Sequence, residues 1–157
     1  MRPKLLILDG SAMISTAYYA VLPNEVKFAK TEEEKEKYFH KILHAPDGTY
    51  TNAIYGMVRQ MNGLIGGWHP DYLAVAFDKT RNTFRRGMFA QYKAQREATP
   101  LPLKQQFVTM QNLLQDAGIP VLLSDTYEAD DLAATIINNE VSAFMLLQEV
   151  INDVYTI

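Results

Sequence analysis

Carboxylates are the residues with the clearest chemical potential here, and they fall in three separated places. Asp9 follows the apolar run Leu5-Leu6-Ile7-Leu8, Asp78 follows Asp71-Tyr-Leu-Ala-Val-Ala-Phe77, and the third group is Glu128-Ala129-Asp130-Asp131. Carboxylates brought together repel one another unless a cation sits among them. Hard oxygen donors suit Mg2+ or Mn2+. One or two such ions can activate a water and stabilise the leaving oxygen of a phosphodiester. A second feature is cationic. Lys79, Arg81, Arg85, Arg86, Lys93 and Arg96 lie in a window without Asp or Glu, interleaved with Phe84, Phe89 and Tyr92. Cations neutralise phosphates, and aromatic rings stack on exposed bases.

Each of these residues also has a plainer reading. Asp9 before Gly10 has the form of a turn, and Asp78 alone says no more. Asp125 and Glu128 have capping-box spacing, and acidic residues at a helix start offset its dipole by about 0.3–1 kcal/mol. The basic window also reads as an ordinary basic surface helix. The constellation is stronger than its parts.

Three strands are expected to position the acids. Leu5–Leu8 and Asp71–Phe77 read as buried strands, the second after the breakers Gly66-Gly67 and His69-Pro70. Ile119–Leu123 reads as a third, after Gly118 closes the preceding helix. Helices are expected over Asn52–Leu64, Leu103–Ala117 and Tyr127–Ile137. Their apolar faces are Ile54, Met57, Val58, Met61 and Leu64; Phe107, Met110, Leu113 and Leu114; and Leu132 and Ile136. Strands alternating with helices predict an α/β fold, a mostly parallel sheet with helices on both faces. In an open parallel sheet the C-terminal strand ends share one edge, where such folds place their sites. On the third helix Glu128 and Asp131 are expected to share a face, with Asp130 turned by roughly 100°.

The 157 residues are enough for one domain. An apolar fraction of 48% and a charged fraction of 21% are those of a water-soluble globular chain. The absence of cysteine rules out disulfides and thiolate zinc sites and fits a reducing cytoplasm. The first apolar run ends at Asp9, too short for a signal-peptide core or a membrane span. The net charge is −3, yet the basic window carries +6 and the rest of the chain −9. Residues 24–47 form a charged insertion around Thr31-Glu-Glu-Glu-Lys-Glu-Lys37, expected to be an exposed helix with Thr31 and Glu34 as a capping box. Pro46-Asp47-Gly48 reads as a turn. His40 and His44, four apart with no third ligand in view, read as surface residues.

Several of these segments together resemble a known family. Leu-Ile-Leu-Asp9-Gly10-Ser11, Thr51-Asn-Ala-Ile-Tyr-Gly56 and Pro70-Asp-Tyr-Leu-Ala-Val-Ala-Phe-Asp78 match, in order and approximate spacing, the 5′-nucleases of the kind fused to bacterial DNA polymerase I. Thr83-Phe84-Arg85, Tyr92-Lys93-Ala94-Gln95-Arg96, Gly118-Ile-Pro-Val121 and Tyr127-Glu-Ala-Asp-Asp131 continue the match, which spans about residues 4 to 138. The resemblance implies a PIN-like α/β fold, also described as resolvase-like, and a 5′→3′ exonuclease or flap nuclease that uses two divalent ions. It implies metal ligation by Asp9, Asp78, Glu128, Asp130 and Asp131. It further implies DNA contact by Arg81, Arg85, Arg86, Tyr92, Lys93 and Arg96, with Lys93 or Arg85 near the scissile phosphate. The window 79–100 would be the arch through which a single strand passes. The partners implied are DNA with 5′ ends or flaps, and a polymerase domain.

The resemblance breaks after residue 138. The family carries a Gly-Asp-Lys-Asp-like motif downstream whose two aspartates hold a second metal. This chain reads Ile137-Asn-Asn-Glu140-Val-Ser-Ala-Phe-Met-Leu-Leu147 instead, and residues 139–157 form a divergent tail. The expectation is a truncated or deleted C-terminal part and an impaired second metal site, unless another chain completes it. A non-catalytic nucleic-acid-binding remnant is the alternative. A haloacid-dehalogenase-type phosphatase would need an aspartate nucleophile where Ile7 stands, so the sequence disfavours it.

Overall fold

The computed structural model describes residues 3–78, 98–125 and 127–138. These fall into two compact units, one built on 3–11, 70–78 and 111–138, the other on 12–69 and 99–110.

The first unit is a parallel sheet of three strands, β1 (Leu5–Asp9), β2 (Tyr72–Asp78) and β3 (Val121–Ser124), in the order β1-β2-β3. β1 pairs with β2 from Leu5 opposite Tyr72 to Asp9 opposite Ala76. β2 pairs with β3 from Val75 opposite Val121 to Asp78 opposite Ser124. The central position of β2 explains its composition: Ala74, Val75, Ala76 and Phe77 are all buried, as a parallel strand covered on both faces requires. The expected α/β class with a parallel sheet is what forms. Each strand ends one residue later than expected, so that Asp9 and Asp78 are the last residues of their strands rather than the first beyond them.

The helices in chain order are α1 (Gly10–Ala20), α2 (Asn24–Lys27), α3 (Glu32–Lys37), α4 (Asn52–Trp68), α5 (Leu101–Asp116) and α6 (Ala129–Asn138). α6 packs against all three strands. β1 runs straight into α1, so Asp9-Gly10 is a strand-to-helix junction and not the turn that its dipeptide also allowed. Glycine is required there because a Cβ on Gly10 would lie 2.6 Å from the ring of Phe77. α5 ends at Gly118, as expected. Gly118 has φ of 72° and donates to the carbonyl of Gln115, and Ile119 donates to Leu114. This is the paired hydrogen bonding of a Schellman stop.

α4 departs from expectation. Gly66 and Gly67 do not break it, because both lie inside the helix with open space around them. The stop comes at His69, with φ of 45°, followed by Pro70, which disfavours helix at the residue before it. Each interior glycine costs about 1 kcal/mol relative to alanine, a local penalty that packing of the helix overrides. Met57 and Met61 of the expected apolar face are buried, and Ile54, Val58 and Leu64 are half-buried. On α5 the buried positions are Pro102, Leu103, Gln106, Met110 and Leu114, whereas Leu113 is exposed.

The second unit contains a buried polar network at the N-terminus of α4. Gln106 Oε1 accepts from the amides of Ala53 (2.7 Å) and Ile54 (3.3 Å). Gln106 Nε2 donates to Asn52 Oδ1 (2.8 Å) and to the Pro102 carbonyl (3.0 Å), and Asn52 Nδ2 donates to the Tyr18 carbonyl (3.2 Å). Thr51 precedes α4 but makes no capping hydrogen bond, so Gln106 caps the helix from elsewhere in the chain. Gly56 allows close approach, since a Cβ there would stand 2.8 Å from the Cβ of Ala17.

The charged insertion is partly as expected. α3 buries nothing, and Thr31 Oγ1 accepts from the Glu34 amide. Glu34 Oε2 accepts from Lys30, one residue before the expected capping-box partner. The segment is nonetheless anchored by the buried Val26 and Ile42 and tied by a Lys41–Glu25 ion pair. Pro46-Asp47-Gly48 forms the expected turn: Gly48 donates to Ala45, and Thr49 donates to Asp47 Oδ1. His40 and His44 are exposed, and each uses Nδ1 on a nearby backbone carbonyl.

Candidate metal and nucleic-acid site

The register fixes the relation of Asp9 to Asp78. Asp9 stands opposite Ala76, and Asp78 lies two residues further along β2. Residues two apart on a strand share a face, so both carboxylates start from the same face of the same C-terminal edge. Strand geometry separates their Cα atoms by about 8 Å, a span that two Asp side chains can bridge around one cation. Asp9 is exposed and Asp78 is half-buried.

The third acidic group arrives through β3. Ser124 sits opposite Asp78, and its Oγ accepts from the Tyr127 amide (3.1 Å), turning the chain toward α6. The amide of Ala129, the first residue of α6, donates to Asp78 Oδ1 (2.8 Å). Asp131 Oδ2 accepts from the Glu128 amide (3.1 Å), and Asp130 Oδ1 accepts from the Asp131 amide (2.9 Å). Three carboxylates therefore satisfy the amides at or just before the first turn of α6, where a helix presents unpaired donors and partial positive charge.

This corrects one local expectation. Glu128 precedes α6 instead of lying on it, and it is buried at 6% exposure. At the helix start the Glu128 amide donates to Asp131 Oδ2 and the Asp131 amide donates to the Glu128 carbonyl. Among the described residues no group of three or more His, Asp or Glu stands close enough to hold a metal ion. The donor chemistry suits a hard divalent ion, and Asp9, Asp78 and the start of α6 reach one edge. One oxygen of each of Asp78, Asp130 and Asp131 accepts from an amide. Arg81, Arg85, Arg86, Tyr92, Lys93 and Arg96, and the tail 139–157, lie outside the described residues.

Residues 4–151 match the family of 5′-3′ exonuclease N-terminal, resolvase-like domains. The chain belongs to that family. It is 34% identical over 136 residues to a DNA polymerase I of Bacillus caldotenax, covering 87% of this chain and 13% of that protein. It is 38% identical over 130 residues to a 5′-3′ exonuclease of Aquifex aeolicus, covering 83% of this chain and 38% of that protein. A DNA polymerase I of Mycobacterium tuberculosis is 33% identical over 135 residues, covering 86% of this chain and 13% of that protein. The chain thus spans only a minor part of each of these relatives. No helix among the described residues is long and apolar enough to cross a membrane.

Sequence reasoning named the acids but missed Ser11, whose Oγ accepts from the Asp78 amide (2.8 Å). It also missed Ser124. The only signal for Ser11 was its place two residues after Asp9 in the segment that carried the resemblance.

Proposed function

We propose that this chain supplies the first-metal half of a 5′→3′ nuclease site that hydrolyses phosphodiester bonds at DNA 5′ ends or flaps. Family membership supports nuclease chemistry. The observation that carries the residue-level reading is the Asp78–Ala129 hydrogen bond together with the Asp9–Ala76 register. It gathers three acidic segments, 69 and 50 residues apart in sequence, at one sheet edge. Asp9, Asp78 and Asp131 would hold one Mg2+ or Mn2+, with Asp130 and Glu128 shaping its surroundings. The bound ion would supply an activated water and charge stabilisation on the phosphodiester. Arg85 and Lys93 would neutralise the scissile phosphate. Arg81, Arg86 and Arg96 would hold flanking phosphates, and Tyr92 would stack on a base.

The test is cleavage of a labelled 5′-flap DNA in Mn2+ by wild type, Asp78→Ala and Asp78→Asn. Asparagine keeps an oxygen acceptor for the Ala129 amide while removing the charge. Both variants should lose cleavage by about a hundredfold or more, since even outer partners of a metal ligand contribute 10–100-fold. Wild-type rates from Asp78→Asn would sink the metal reading. The second reading, nucleic-acid binding without cleavage, is favoured by the lack of any metal-ready group of three among the described residues. It expects gel-shift binding by all three proteins and cleavage by none.

A further inference from the structure

The hydrogen-bond phase of β2 shows what Ser11 does. The Val75 amide donates to the Pro120 carbonyl, on the β3 side. Strand amides alternate in direction, so the amides of Ala76 and Asp78 point toward β1. With Asp9 opposite Ala76, the parallel ladder would next pair the Asp78 amide with the carbonyl of residue 10. That carbonyl is unsuitable, because α1 begins at Gly10 and turns it along the helix axis. Ser11 Oγ takes its place, accepting from the Asp78 amide at 2.8 Å from a position only 8% exposed. The hydroxyl thus extends the ladder by one rung beyond the end of β1. That rung lies at the level of the Asp78 carboxylate.

We infer that Ser11 is a positioning residue for the acidic site: it fixes the backbone of Asp78 so that its carboxylate stays on the face shared with Asp9. The inference rests on the proposed metal site, and it adds a residue that contributes no ligand atom. Asp78 is then held at two points, its amide by Ser11 and Oδ1 by Ala129, while Oδ2 has no hydrogen-bond partner among the described residues. Loss of the Ser11 contact frees the end of β2 to fray, since a buried amide without an acceptor seeks water. The two aspartates then lose their fixed separation.

The experiment compares wild type, Ser11→Ala and Ser11→Thr in the full chain. Amide exchange of Asp78 is followed by NMR without metal, and Mn2+ affinity by calorimetry. Ser11→Ala should speed exchange of the Asp78 amide by about tenfold while the Ala74–Ala76 amides stay protected. It should also weaken Mn2+ binding by about tenfold, with Ser11→Thr restoring both. Unchanged Asp78 exchange in a folded Ser11→Ala protein overturns the inference, as does Mn2+ affinity that ignores the hydroxyl. If Ser11→Ala fails to fold, Ser11→Thr decides: wild-type exchange and affinity support the inference, and loss of either counts against it. A wild-type protein that binds no Mn2+ defeats the metal reading itself, and the exchange data then still report whether the rung exists.

Discussion

Tyr18 is a large polar side chain almost wholly withdrawn from water, beside Tyr19 in an edge-to-face contact. Burial, with Tyr19 next, pushes its phenol well above the ordinary range. A raised folded-state value means that the unfolded chain releases this proton first. The stabilisation is therefore intact below the unfolded value near pH 10 and is lost as pH climbs above it. Thermal melts should show stability falling above about pH 10, and Tyr18→Phe should flatten that fall. At the same scale, Asp9 and Asp78 were legible in the sequence because each closes an apolar run, and strand-end acids in a parallel sheet share an edge. Ser11 was not legible as a functional residue. Its partner lies 67 positions away, and only the phase of the ladder reveals that a hydroxyl is needed there.

Elements were legible where periodicity decided them and less so where a distant group did. The three strands and α4, α5 and α6 follow from apolar spacing, and the Gly118 stop from glycine chemistry, whereas the eleven-residue α1 was not anticipated. The end of α4 was misplaced because two glycines look like a break unless tertiary packing is known. Gln106 was invisible for a related reason: a polar residue in an amphipathic helix reads as surface, yet this one is fully buried and caps α4 across 53 residues. Gln106→Ala should lower stability by about 2–4 kcal/mol, because it removes the partners of the Ala53 amide and of Asn52 Oδ1 in a buried setting. Urea denaturation monitored by circular dichroism would measure this, and a change under about 0.5 kcal/mol would deny the network its role.

At the level of the whole molecule, charge is unevenly shared: +6 over residues 79–96 in a chain of net −3. If all six cations meet the phosphates of a single strand, log K against log salt should have a slope of about −4. Lys93→Ala should make it shallower by about 0.7. Fluorescence anisotropy with a labelled oligonucleotide would read both, and a slope near zero would exclude these residues as the DNA contact. The family and the α/β class were legible because several short segments recur in order. The arrangement at the start of α6 was not, since capping amides compete for the carboxylates that a metal would use. The junction at Asp9-Gly10 carries one more consequence. With no spacer between strand and helix, an inserted residue there would swing everything after it by roughly 100° and carry Ser11 away from its rung. Length variation among relatives should therefore be absent at this joint and free in the surface segment between Phe28 and Thr31, where the chain can bulge without moving any acid.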